Sequence, residues 1–159
     1  MATLYVRDGG EFREARTQDI LERANALMAQ RFRAGAPVMG SPARTREFLR
    51  LRMAALQYEI FAVLFLDSRN RLIEYVELFR GTVSGASVHP REVVKEALAR
   101  NAVAVVFAHC HPSGQATASS ADEAVTLRLR DALNLVDIRV LDHFIVGETI
   151  LSMAEAGLL

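Results

Sequence analysis

Ala102-Val-Ala-Val-Val-Phe-Ala-His109-Cys-His111-Pro-Ser-Gly-Gln-Ala-Thr-Ala-Ser119-Ser-Ala-Asp122 is the stretch whose reading decides this chain. Residues 102–108 are continuously apolar and short, which predicts a buried strand. Side chains two apart on a strand share a face, so His109 and His111 project together from its carboxyl edge while Cys110 points the other way. Residues 112–118 form a polar loop. A helix follows from Ser119 or Ser120 to about Leu135, with Ser120 and Glu123 at capping-box spacing. Asp122 then lies in the first helical turn, where the loop brings the chain back.

Two neutral imidazoles and a carboxylate make a three-ligand set that leaves a fourth zinc position open for water, the pattern of catalytic zinc; structural zinc is closed by four protein ligands. Alone, a His-x-His pair reads more readily as two strand-end histidines bonded to neighbours. Asp122 also has a plain role, favouring the helix dipole in the first turn. Cys110 reads as a small buried hydrophobe.

Working outward, Ile20, Leu21, Ala24, Leu27, Met28 and Phe32 fall on one helical stripe within 18–33. Residues 34–40 read as a linker, and Ser41-Pro42 as an N-cap followed by proline at the first helical position. The second helix runs to about Leu56 and buries Phe48, Leu49, Met53 and Leu56. Glu59-Ile-Phe-Ala-Val-Leu-Phe-Leu-Asp67 is a buried strand, residues 68–70 a turn, and 72–79 a second strand paired with the first. Residues 81–88 read as a loop or irregular strand. His89-Pro90 opens a helix to about Arg100, with Val93, Val94, Ala97 and Leu98 facing inward. Residues 138–146 and 149–152 form a hairpin around Gly147-Glu148, with Gly147 suited to the first position of a type II′ turn. The order ααββαβαββ predicts an α/β fold, a mixed β-sheet with helices on it.

Bulk properties narrow the function. The 159 residues are 51% hydrophobic and 24% charged, enough for a real core. Nineteen basic residues balance 19 acidic ones, so nucleic-acid binding would require a local basic patch. The stretch Ala43-Arg-Thr-Arg-Glu-Phe-Leu-Arg-Leu-Arg52 is basic, but it reads as a solvated helix face. A single cysteine excludes an internal disulfide and a cysteine-rich zinc site. The start lacks a signal-peptide pattern, and no apolar run approaches the ~20 residues of a membrane span. The expectation is a cytoplasmic protein that makes no membrane contact.

His-x-His-Pro-Ser-Gly, with Ser119 eight and Asp122 eleven positions beyond the second histidine, resembles the metal motif of the JAMM (JAB/MPN) family, and its Pro-Ser-Gly continuation resembles the RadC branch. The flanks agree in order, among them Glu77-Leu-Phe-Arg-Gly-Thr82, Pro90-Arg-Glu-Val-Val-Lys-Glu-Ala-Leu98 and Leu141-Asp-His-Phe-Ile-Val146. The resemblance implies a cytidine-deaminase-like α/β/α core over residues 37–159, preceded by a helical extension over 1–36. It implies Zn2+ held by His109, His111 and Asp122. It also implies that Ser119 hydrogen-bonds the carbonyl oxygen as charge develops and that Glu59 is the general base, with Glu74 and Glu77 as spare candidates. Ser119 also fits a plain helix cap, and Glu59 a plain strand-end carboxylate. His89 reads as a cap and His143 as a buried or pairing histidine.

Two positions depart from the RadC pattern: Cys110 stands for Asn between the histidines, and Ala118 for Pro before the serine. Neither is a ligand. Full-length RadC proteins carry a helical domain of the helix-hairpin-helix kind before this core; the expectation for residues 1–36 is only a short helical extension. The implied activity is metal-dependent hydrolysis of a peptide or isopeptide bond in an unidentified peptide or protein substrate. The alternatives are a DNA-repair or DNA-processing accessory protein, with DNA as partner, and a zinc-stabilised interaction module without turnover. A nucleobase deaminase is set aside, because one cysteine cannot supply its Pro-Cys-x-x-Cys ligands.

Overall fold

A computed structural model describes residues 3–8, 10–33, 37–53, 56, 58–81, 88–111 and 113–159. The chain divides into two compact units, Met1–Gly35 and Ala36–Leu159.

The first unit differs from the expected helical extension. Strands β1 (Tyr5–Asp8) and β2 (Glu11–Glu14) pair as an antiparallel hairpin, with Gly10 at φ 98° in its turn, ahead of helix α1 (Thr17–Arg33). Asp19 ties hairpin to helix, accepting two bonds of 2.7 Å from the Arg13 guanidinium. Of the expected apolar stripe on α1, Leu21 and Ala24 are half-buried while Ile20 and Leu27 are exposed. The side chains of Met28 and Phe32 lie outside the described residues.

The second unit is a five-stranded mixed sheet with helices on both faces, as the α/β reading predicts. It comprises α2 (Pro42–Met53), β3 (Ile60–Leu66), β4 (Leu72–Arg80), α3 (Pro90–Ala99), β5 (Ala104–Cys110), α4 (Ser120–Asn134), β6 (Arg139–Val146) and β7 (Ile150–Ser152). The strand order is β4-β3-β5-β6-β7, and only the β5–β6 pair is parallel. Parallel neighbours need a crossover, and α4 supplies it. Every residue of β3 and β5 is buried, which explains why both read as unbroken apolar runs with no alternation.

Alternation still sorts their side chains. Phe61, Val63, Phe65, Val105 and Phe107 face a core made with Val93 and Ala97 of α3 and Val125, Leu129 and Leu133 of α4. Burying one such side chain stabilises by about 1.5–3 kcal/mol. On the opposite face lies α2, with Phe48, Leu49 and Met53 buried and Phe48 edge-on to Tyr75 at 5.7 Å. The Ser41 hydroxyl caps α2 by accepting from Arg44 N–H at 3.4 Å.

Some boundaries move. β5 continues two residues past Ala108, so His109 is inside the strand and His111 just beyond it. The expected linker is partly paired, since Val38 bridges Arg71 and Met39 N–H donates to the Asn70 carbonyl at 2.7 Å. Leu98 is 51% exposed although its spacing predicts an inward position, because α3 buries the narrower stripe of Val93 and Ala97. Most of the 81–88 loop lies outside the described residues, as do positions 54–55 and 57 after α2. Among the described residues no helix is long and apolar enough to cross a membrane.

Candidate metal centre

The central strand β5 positions the histidine pair. His109 pairs with Phe61 of β3 on one side and Ile145 of β6 on the other, and only 2% of it is exposed. His111 is anchored by its N–H, which donates to the Val146 carbonyl at 2.8 Å. The two rings meet nearly edge to face, 4.5 Å between centroids. Cys110 points to the other face, its thiol donating to the Tyr58 carbonyl at 3.2 Å. Burial pushes that thiol pKa up, so Cys110 is an inert packing group here.

The loop after His111 folds back tightly. Gly114, at φ 82°, closes a turn on His111, and Glu148 N–H donates to the Gly114 carbonyl at 2.9 Å. Gly147 is not in the left-handed region, so the expected type II′ turn does not form. Its need for glycine is one of space: a Cβ there would lie 2.3 Å from the Gly114 carbonyl oxygen.

Helix α4 brings the carboxylate. The capping box is one residue earlier than the Ser120/Glu123 spacing predicts: Ser119 is the N-cap and Asp122 its N3 partner. Asp122 N–H donates to Ser119 Oγ at 3.2 Å, and Ser119 N–H donates to Asp122 Oδ2 at 2.8 Å. The Ser119 hydroxyl also donates to Oδ2, at 2.6 Å. The shift has a physical reason. Asp122 is buried and its other oxygen, Oδ1, accepts from His109 Nδ1 at 3.0 Å, whereas Glu123 is exposed. Burial alone would raise the Asp122 pKa, but the bonds from His109 and Ser119 outweigh it and hold the carboxyl well below the usual range.

These contacts orient both rings. A carbonyl oxygen only accepts, so the 2.9 Å contact between His111 Nδ1 and the Gln115 carbonyl places the ring proton on Nδ1 and the lone pair on Nε2. Such an outer partner is what fixes a metal-binding histidine. By the same logic His109 donates from Nδ1, and its Nε2 is buried with no hydrogen-bond partner among the described residues. One donor atom from each of His109, His111 and Asp122 lies within 4.8 Å of the others. Tetrahedral zinc with bonds of about 2.0–2.2 Å sets donors about 3.3 Å apart, so the three side chains must close in, and for His109 Nε2 and Asp122 to share one ion the bond between His109 Nδ1 and Asp122 Oδ1 must open. A neutral N, N and carboxylate O set suits zinc, and the unpartnered His109 Nε2 offers it a buried lone pair.

Glu59 immediately precedes β3 and is half-buried. The antiparallel register Phe61↔His109, continued two residues, sets Glu59 across from His111. The spare carboxylates are placed differently. Glu74 pairs with Phe65, which faces Val105, four residues or about 13 Å from His109 along the strand, and it is bonded to Arg100 at 2.6 Å. Glu77 pairs with Ala62, on the Cys110 face of the sheet.

The sequence left two supporting groups, Thr126 and Gln115, unmarked, while His143 is buried and paired as expected. Thr126 donates to the Asp122 backbone carbonyl at 2.5 Å and accepts from His143 Nδ1 at 2.6 Å. His143 is fully buried, edge-on to Phe61 and Phe107, and burial pushes its pKa down to about 3. Its Nε2 has no partner among the described residues. The i to i+4 spacing of Asp122 and Thr126 was the available signal; Gln115 acts through its backbone and left none. His89 is the N-cap of α3 but makes no side-chain cap bond.

Residues 39–158 match the RadC-like JAB domain. A UPF0758 protein of Thioalkalivibrio sulfidiphilus is 53% identical over 150 residues, 94% of this chain and 67% of that protein. One from Vibrio cholerae is 56% identical over 138 residues, 87% of each chain. One from Aromatoleum aromaticum is 57% identical over 147 residues, 91% of this chain and 65% of that protein. The strand-borne histidine pair and the helix-borne aspartate thus sit inside a domain shared along nearly its whole length with these relatives, and the chain belongs to the RadC-like JAB-domain family.

Proposed function

We propose that this protein is a zinc-dependent hydrolase of the JAMM type that cleaves an amide or isopeptide bond. The observation that carries the reading is the convergence of His109, His111 and Asp122 donors within 4.8 Å, with His111 already held through its Nδ1 by a backbone carbonyl. His109, His111 and Asp122 would hold the ion. When bound, zinc supplies Lewis acidity and makes hydroxide available near pH 7.

The remaining work falls to the chain. Glu59, across from His111, accepts the proton of the attacking water and returns it to the leaving amine. Ser119 stands beside the carboxylate ligand, and its hydroxyl proton is directed at Asp122 Oδ2. To support a developing oxyanion it must turn that proton toward substrate, leaving the Ser119 N–H to hold Oδ2. The substrate on this reading is a peptide or protein.

The DNA-accessory reading draws little from the geometry. In the basic stretch on α2, Arg46 donates to the Ile150 carbonyl and pairs with Glu155, and Arg52 lies over the Phe48 and Tyr75 rings. Arg44 and Arg50 of that stretch are exposed and have no side-chain hydrogen bond, ion pair or ring contact among the described residues.

The test is Glu59→Gln on the zinc-loaded protein, assayed by mass spectrometry against a peptide library. The reading expects zinc content unchanged and cleavage reduced at least a hundredfold. Cleavage at the wild-type rate would remove Glu59 as base. A wild type that binds zinc yet cuts nothing would favour an interaction module.

A further inference from the structure

At the end of β5, on its Cys110 side, a cleft of about 240 Å³ reaches the candidate metal centre at His111 and is lined by Cys110, an apolar wall of Met53, Leu56 and Val146, and Glu148. It is smaller than the roughly 300–1,000 Å³ that encloses a whole small ligand, so it suits one extended side chain of a larger one. We propose that this cleft is a substrate subsite for a lysine or arginine side chain flanking the amide to be cut. The inference rests on the hydrolytic reading above and names its substrate class.

The chemistry of the lining selects the occupant. Glu148 carries no ion pair or side-chain hydrogen bond among the described residues, and it is not part of the metal-ligand cluster. An aliphatic wall together with a free carboxylate complements a side chain with an apolar stem and a cationic head. An apolar side chain would cover Glu148 without giving it a partner, which is unfavourable, and an acidic one would be repelled.

The turn that carries the carboxylate is also tied by its backbone to the His111 loop. Glu148 N–H donates to the Gly114 carbonyl at 2.9 Å, and His111 N–H donates to the Val146 carbonyl at 2.8 Å. The Glu148 side chain lies across Gly114, where an added Cβ would meet its Cγ at 3.0 Å. The Gly114–Gly147 approach leaves no room for a side chain between the two segments. The loop whose Gln115 carbonyl orients His111 is therefore clamped to the turn that presents Glu148. The Glu148 backbone and the His111 loop are thus held in register with one another.

The experiment uses the full chain with zinc supplied and acetylated hexapeptides that differ only in one central residue: Lys, Arg, Leu or Glu. Affinity is read by isothermal titration and cleavage by mass spectrometry. The Lys and Arg peptides are expected to bind about fivefold tighter than the Leu peptide, near the upper limit for a solvent-screened ion pair, and the Glu peptide weakest. Glu148→Gln should bring the series within twofold, and Glu148→Arg should favour the Glu peptide. Because Glu148 is exposed, both variants should keep wild-type zinc content and melting temperature. A preference that survives Glu148→Gln, equal affinities, or no binding of any peptide overturns the subsite. Charge-dependent binding without cleavage supports it and counts against the hydrolytic reading; cleavage without charge preference does the reverse.

Discussion

Replacing Asp122 with alanine tests the architecture of the site apart from any metal, because the carboxylate has structural partners of its own. Among the described residues Oδ1 alone accepts from His109 Nδ1–H, and His109 is 2% exposed, so the variant leaves a buried donor unsatisfied. That costs about 1–3 kcal/mol. Oδ2 accepts from the Ser119 N–H and hydroxyl, half of the capping box, worth about another 1 kcal/mol. The expected loss is about 2–4 kcal/mol, measured by denaturant unfolding with a chelator present so that metal contributes nothing. Asp122→Asn keeps one acceptor oxygen and should lose less. Acid gives a second check. The folded-state pKa of Asp122 is depressed, so its stabilisation is present above the unfolded value near 4 and is lost as pH falls toward the folded one. The alanine variant should lack that part of the acid sensitivity. A loss under about 0.5 kcal/mol at neutral pH would refute the bonded, buried carboxylate described here.

Gly147→Ala drives a Cβ against the Gly114 carbonyl, and about 1–3 kcal/mol of destabilisation is expected by thermal or denaturant unfolding, with weaker zinc binding as the His111 loop shifts. Ser119→Ala removes the helix cap, about 1 kcal/mol by the same unfolding assay; if the hydroxyl also serves the oxyanion, cleavage falls about a hundredfold beyond that. His143 has a folded pKa of about 3 against 6.5 unfolded, so the unfolded chain binds the extra proton between those values. Stability should therefore fall as pH drops below 6.5, with a slope that rises toward about 1.4 kcal/mol per pH unit near pH 5 and that His143→Phe removes in unfolding titrations at pH 4.5–6.5.

What the sequence disclosed was the part written in side-chain period. The apolar runs of β3 and β5 located the buried strands, and the two-residue spacing of His109 and His111 placed both imidazoles at one edge. What it hid was set by tertiary choice. Adjacent serines at 119 and 120 and adjacent acids at 122 and 123 offer two capping registers one residue apart, and the bond from His109 to Asp122 decides between them. Gly147 fits a turn signal, but its actual constraint is the backbone of Gly114, thirty-odd residues away in sequence. The Gln115 carbonyl that orients His111 belongs to the backbone, which no residue type advertises. In the first unit, Tyr5-Val-Arg-Asp and Glu11-Phe-Arg-Glu flank glycines in a hairpin too short and too polar to stand out as strands.

Zinc stoichiometry tests the central claim most directly. The purified protein, equilibrated with zinc and dialysed, should hold one zinc per chain by mass spectrometry of the metal, and His109→Ala/His111→Ala should hold none while remaining folded by circular dichroism. A wild type without zinc, or a double variant that keeps one per chain, would contradict the account.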